Sequence, residues 1–262
     1  MTNRKFLVAA TVCATALAGL TGCSSDKGKD AADDKKPSAS QESKAPADPF
    51  AGMTADQIAD KALDTTKAAD SLKAMGIARS DKKELQFDVS VSKQGDCQGK
   101  LTDAGATADL VSVDKAVYIK GDSKFWEQTG KEDGSSPEET AAMVELLKGR
   151  WLKVPAEDNS AEDDLGAICD TDTLFEEADQ AKTGLTKGQN TEVNGQSAVT
   201  LTKKDGDETT TLHVATEGEP YLLKVTVEGG KDPGEASFSD FNKPITVTAP
   251  PADQVMDPTK LG

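Results

Sequence analysis

The sequence predicts an α+β fold in which helices pack on one face of an antiparallel sheet. Three observations carry this. Glu84–Ser92 alternates strictly, with Leu85, Phe87, Val89 and Val91 pointing one way and Gln86, Asp88, Ser90 and Ser92 the other, which is the pattern of a half-buried strand. Asn194-Gly195 and Asp205-Gly206 are strong hairpin signals that separate three more strand-like runs. Two amphipathic helical stretches, 54–75 and 137–148, break the strand series and need a surface to lie on.

Taken in order, Thr54 with Gln57 three residues on forms a capping box. Ile58, Ala62, Ala69, Leu72 and Met75 then fall near one helical face as far as Gly76, so a helix is expected over 54–75. The strand 84–92 leads to a turn region in which Gly95 and Gly99 flank Cys97. Ala108–Val113 and Ala116–Lys120 read as two strands around an Asp114-Lys115 turn. Pro137–Lys148 is a helix with Pro early and Gly149 after it, striped by Met143, Val144, Leu146 and Leu147. A short strand at Trp151–Val154 and helical pieces within 165–178 follow. Strands are expected at Thr186–Val193, Ser197–Lys203, Glu208–Ala215, Tyr221–Glu228, Ala236–Phe241 and Ile245–Thr248, about nine in all. No linker interrupts 51–250, so this span reads as one domain, and the Pro-rich 251–262 reads as an extended tail.

Ahead of the domain, Arg4 and Lys5 precede an uncharged run from Phe6 to Leu20. Fifteen helical residues reach only ~22 Å, short of a ~30 Å hydrocarbon core, so residues 1–22 read as an export signal rather than a spanning helix. Leu20-Thr21-Gly22-Cys23 resembles the lipobox of bacterial lipoproteins. That resemblance implies a lipidated Cys23 as the mature N-terminus, with palmitate-type acyl chains anchoring the protein to the cell membrane on its extracytoplasmic face. Residues 23–50 then form a polar tether of interspersed Lys and Asp.

Composition excludes several functions. Lys+Arg 30 against Asp+Glu 46 gives −16, and near −18 once Arg4 and Lys5 leave, a charge that repels phosphate backbones and argues against nucleic-acid partners. With one His and four Cys, no zinc spacing occurs, and no metal or cofactor is expected. No nucleophile elbow, P-loop, H-E-x-x-H or G-x-G-x-x-G motif is present, so the chain reads as non-enzymatic. His213 lies in a strand opposite Leu212 and Val214, where a sheet histidine is favoured over a general base. The acidic pairs at Glu157–Asp158, Glu162–Asp164 and Glu176–Glu177 lack EF-hand spacing and read as solvated surface rather than a calcium site. Trp126 and Trp151 read as core rather than as a sugar platform. With Cys13 in the signal and Cys23 lipidated, Cys97 and Cys169 are left as the one candidate disulfide of an exported chain; two separate buried thiols are the alternative.

The order of lipobox, tether, helix and alternating strands, with VNGQSAVTLT, EPYLLKVTV and FSDFNKPITVTAPPA closing the series, resembles the LppX/LprG-type cell-envelope lipoproteins of actinobacteria. The resemblance covers roughly 54–255. It implies a LolA/LolB-like curved half-barrel with helices on its concave face, and a lipid or glycolipid ligand between sheet and helices. The residues expected to line such a cavity are Phe87, Val89, Val91, Val117, Ile119, Met143, Leu146, Leu147, Leu201, Leu212 and Leu223. If the helices pack flush on the sheet, the same residues are simply core. The competing function is a non-enzymatic surface adaptor for another protein or a cell-wall polymer; an unrecognised hydrolase is a third reading. Oligomeric state is not readable from the sequence.

Overall fold

A computed structural model describes residues 48–80, 83–154 and 168–260. The expected signal segment, Cys23, the tether as far as residue 47 and the acidic pairs within 157–164 lie outside the described residues. The chain runs α1 (Ala55–Lys67), β1 (Ser71–Ser80), β2 (Lys83–Ser92), β3 (Cys97–Asp103), β4 (Ala106–Val113) and β5 (Ala116–Gly121). Next come α2 (Ser123–Glu132), α3 (Pro137–Leu147), β6 (Trp151–Lys153), and two short helices, α4 (Thr171–Leu174) and α5 (Glu176–Ala181). The last third is β7 (Thr186–Val193), β8 (Gln196–Asp205), β9 (Glu208–Ala215), β10 (Leu222–Glu228), β11 (Gly234–Ser239) and β12 (Val255–Met256).

All twelve strands form one open sheet in the order β12-β6-β5-β4-β3-β2-β1-β11-β10-β9-β8-β7. Every pairing is antiparallel except β12 on β6. The topology is two meanders: β1–β6 run outward one way, and β7–β11 return to dock on β1. The two halves of the chain therefore meet at a β1–β11 seam, with Ala74 opposite Phe238, Gly76 opposite Ala236 and Ala78 opposite Gly234.

The hairpins obey turn chemistry. Asp114 and Lys115 both take positive φ (53° and 61°), as do Asn194 and Gly195 (50° and 81°), which matches the right-handed twist of the flanking strands. The two-residue turn between β8 and β9 holds Asp205 opposite Glu208.

One face of the sheet carries the core. Val89, Val91, Cys97, Leu110, Val117 and Ile119 from the first meander, and Val199, Leu201, Leu212 and Val214 from the second, belong to a single buried cluster with Ile58, Ala59, Ala62 and Leu63 of α1. Helix α1 lies against β7, β9 and β10, whereas α2 lies against β4, β5 and α3. Burying a side chain of this size contributes roughly 1.5–3 kcal/mol, so this one face supplies most of the driving force for folding.

Several local expectations are corrected. The first helix stops at Lys67, not at residue 75, and Leu72 and Ala74 are buried strand residues. Leu, Lys, Ala and Met all favour helix, but distant groups decide the matter. The Asp70 N–H donates to Asn242 Oδ1 (2.8 Å) and Ser71 Oγ to the Lys243 carbonyl (2.5 Å), fixing the chain reversal that feeds β1 between β2 and β11. Cys97 and Gly99 lie in β3 rather than in a turn. Gly99 is needed there because a Cβ would come 2.7 Å from Val89 Cα. Helix α2 escaped the sequence reading; it starts where the Asp122 carboxylate accepts from the Phe125 N–H (2.8 Å). Ile245–Thr248 joins no ladder. The supposed tail 251–262 instead carries β12, which pairs with β6 and buries Met256, so the domain runs past residue 250.

Candidate functional site

The seam between the meanders carries a depression on its core side. Its core-side residues are small, with Gly76 and Ala78 on β1 and Gly234 and Ala236 on β11. Gly76 makes room for the Phe87 ring, since a Cβ there would stand 2.6 Å from Phe87 Cζ. Larger residues flank the seam, with Phe87 on β2, Phe238 on β11, and Val225 and Val227 on β10. Helices α4 and α5 face this depression through Leu174 and Ala178. Between them lies a cleft of about 450 Å³, apolar within and edged by Arg79, Glu176, Glu177, Asp232 and Glu235.

Three attachments hold α4 and α5 over the cleft. Phe175, wholly buried between them, packs on Phe238 with ring centroids 4.7 Å apart. Lys67 at the end of α1 reaches Asp179, and Asp172 at 3.3 Å. The Cys97–Cys169 disulfide is formed, with Cα atoms 5.5 Å apart, and it ties the chain two residues before α4 to β3. The bond expected from the cysteine count thus staples the cleft's roof to the first meander.

The placement of the expected ligand residues is mixed. Phe87 lines the cleft. Val89, Val91, Val117, Ile119, Leu147, Leu201 and Leu212 do not; they are packed core. Met143 is partly buried against the same core, and its methyl approaches the Gly130 site, where α2 and α3 touch. Leu146 is 49% exposed on the far side of α3. Leu223 points to the opposite sheet face, where it joins Val193, Ala198 and Ala215 in a second small cluster. The cause is a register shift between Leu222 and Lys224 that turns Leu222 inward. That shift is pinned by a buried hydrogen bond from the Leu222 N–H to Thr66 Oγ1 (2.9 Å), while Thr66 donates to the Ala62 carbonyl (2.7 Å). Strict alternation from Tyr221 cannot reveal a bulge. The lining residues Leu174, Val227, Ala236 and Phe238 escape the sequence reading, although small residues at strand positions in Lys73–Arg79 and Gly234–Ser239 are the trace such a depression leaves.

The other candidates resolve plainly. His213 sits on the opposite sheet face between Thr200 and Lys224. Burial, and then the Lys224 charge, lower its pKa, and its Nδ1 has no hydrogen-bond partner among the described residues. Trp126 is buried against Phe125, while Trp151 is half-buried under the Lys120 ammonium, 5.9 Å from its ring. Among the described residues no group of three or more His, Cys, Asp or Glu is placed to hold a metal ion. No helix among them is long and apolar enough to cross a membrane.

Glu177 is the group at the site whose pKa is raised. Burial of its carboxyl, with the charges of Glu208, Asp232 and Glu176 adding to it, raises its pKa above the ordinary 4.5. The native state therefore holds this proton more tightly than the unfolded chain, and stability falls as pH rises from 4.5 through the folded value. Glu177→Gln is expected to melt higher than the parent at pH 7, with the gain vanishing below about pH 4. Melting curves across that range check it.

No family model matches the chain, and no curated protein matches its sequence. Solved structures do. The structure of LprF from Mycobacterium bovis superposes with a TM-score of 0.51 at 15% identity, covering 75% of this chain and 96% of that one. The Mycobacterium tuberculosis lipoprotein LppX gives a TM-score of 0.48 at 13% identity, covering 73% of this chain and 96% of that one. The superposition on LprF agrees with the coarse fold expected from the sequence, α+β with an open, mostly antiparallel sheet and a few helices.

Proposed function

We propose that the chain is a cell-envelope lipoprotein, anchored to the membrane through Cys23 and without turnover of its own, that holds an apolar chain of a lipid or glycolipid in the seam cleft. In this reading the sheet is the curved half-barrel, with α4 and α5 on its concave side. The observation that carries the reading is the cleft itself, since about 450 Å³ falls within the ~300–1,000 Å³ typical of small-ligand sites. Each methylene withdrawn from water contributes about 0.8 kcal/mol. Ten of them give roughly 8 kcal/mol before association costs of several kcal/mol. The balance suits a cargo that exchanges rather than one held permanently.

Two experiments test the two halves. Cys23→Ser is expected to move the protein from the membrane to the soluble fraction; unchanged membrane retention would require another anchor. A fluorescent fatty-acyl probe is expected to bind the parent, and to bind Ala236→Trp at least about tenfold more weakly, because the indole fills the seam. Equal binding by the two proteins would place the probe elsewhere.

A second reading, an adaptor for a protein or cell-wall polymer, draws on the opposite sheet face. Met75 stands 46% exposed there beside a depression of about 690 Å³ that Asp88, Lys100 and Glu235 border. Its polar border suits a surface contact better than an acyl chain.

A further inference from the structure

The cleft follows the seam step by step in register. Ala78 faces Gly234, Gly76 faces Ala236, and Ala74 faces Phe238. At the first step the seam residues are small, and Val227 stands beside Gly234 on the next strand. At the second, Val225 stands beside Ala236, and the Phe87 ring covers Gly76. At the third the seam is full. Ala74 and its β2 partner Val89 are wholly buried, and Phe238 is buried against the Phe175 ring. The cleft therefore has a closed end at Phe238. Its open end lies at the first step, where a second depression of about 360 Å³ shares Glu177, Val227 and Asp232 with it. Gln180, Lys203, Asp205 and Glu208 line that depression, so the apolar lining ends there.

These two marks fix a length. Ala78 to Ala74 covers ~13 Å along β1 at the strand rise of ~3.3 Å per residue. A fully extended chain advances about 3.6 Å in three bonds, so about ten methylenes span the distance. The volume fixes a number of chains. Taking about 30 Å³ per methylene, the share of a water in the liquid, ten fill about 300 Å³ of the 450 Å³ cleft, whereas twenty need about 600 Å³.

From this register we infer that the cleft measures chain length: it takes one unbranched alkyl chain of about ten methylenes, methyl end against Phe238, and has no room for a second. The inference rests on the acyl-chain reading of the cleft and adds the number and length of the chains, with Phe238 as the residue that sets the length. Methylenes beyond that length emerge among Glu177, Asp232 and water, where they withdraw no further apolar surface.

The test is calorimetry on the Cys23→Ser chain with octyl, decyl, dodecyl and tetradecyl maltoside, each below its micelle concentration. Affinity is expected to rise about tenfold from octyl to decyl, and less than about twofold from dodecyl to tetradecyl. Ala236→Leu fills the second step, so its gain from octyl to decyl should fall below about twofold. Phe238→Leu lengthens the cleft, so in it tetradecyl maltoside should bind at least about threefold more tightly than dodecyl. The two shifts run in opposite directions, which a general loss of folding or affinity cannot produce. Dioctanoylphosphatidylcholine should bind within about threefold of its one-chain octanoyl counterpart, where a site for both chains would separate them by more than about a thousandfold. An undiminished rise to tetradecyl in the parent, a plateau that neither variant moves, or a thousandfold two-chain advantage would overturn the length reading and leave the acyl-chain reading standing. Failure of all four maltosides to bind would overturn the acyl-chain reading and this inference with it.

Discussion

Removing the disulfide with Cys97→Ala/Cys169→Ala is expected to cost about 4 kcal/mol, because the bond closes a loop whose ends are 72 residues apart. For a chain of this size that corresponds to a fall in melting temperature of roughly 10 °C. Both cysteines are buried within the main core, so neither sulfur is poised for exchange at the surface. The loop spans β3 to the start of α4, so its release frees the roof of the cleft before it frees the sheet. Hydrogen exchange in the variant should accordingly rise first across 171–181, with β2 and β9 still protected. Calorimetric melting with and without reductant gives the magnitude. A loss below about 1 kcal/mol would mean that Phe175 and Lys67 hold the roof unaided.

The second large effect belongs to Phe175. Its side chain is wholly buried and sits against Phe238, so Phe175→Ala removes an aromatic ring from the contact that joins α4–α5 to β11. The expected cost is about 3–5 kcal/mol, since a lost ring leaves a cavity that the flanking strands cannot close. The same change opens space beside Phe238, which lines the cleft. An acyl ligand should therefore restore more stability to Phe175→Ala than to the parent protein, and that difference separates a cleft contact from an ordinary core contact. Denaturant unfolding with and without dodecyl maltoside measures both quantities.

How much of this was legible in the sequence depends on the range of the interactions involved. The strands at 84–92 and 208–215 could be read because alternation reports burial on one face, and Asn194-Gly195 because only certain residues accept two successive positive φ values. Thr54 with Gln57 announced α1 correctly, and both reciprocal hydrogen bonds are made (2.9 and 3.2 Å). The end of α1 could not be read, because Asn242 and Lys243, some 172 residues away, set it. The inward turn of Leu222 depends likewise on Thr66. The cleft was hardest to see. Large apolar residues on alternating strands suggest ligand contacts, yet in a packed protein these are the residues that fill space. The depression forms where β1 and β11 bring Gly76, Ala78, Gly234 and Ala236 together, and that pairing joins the two ends of the domain.

That seam is the part of the account most open to direct measurement. Methyl NMR on the Cys23→Ser chain, titrated with dodecyl maltoside, reports which side chains meet the acyl chain. The account predicts saturable shifts at Leu174, Ala178, Val225, Val227 and Ala236, with Val89, Val117 and Leu201 in the packed core moving little. Shifts centred on Met75 of the opposite face, or on Leu146 of α3, with the seam methyls unmoved, would contradict it.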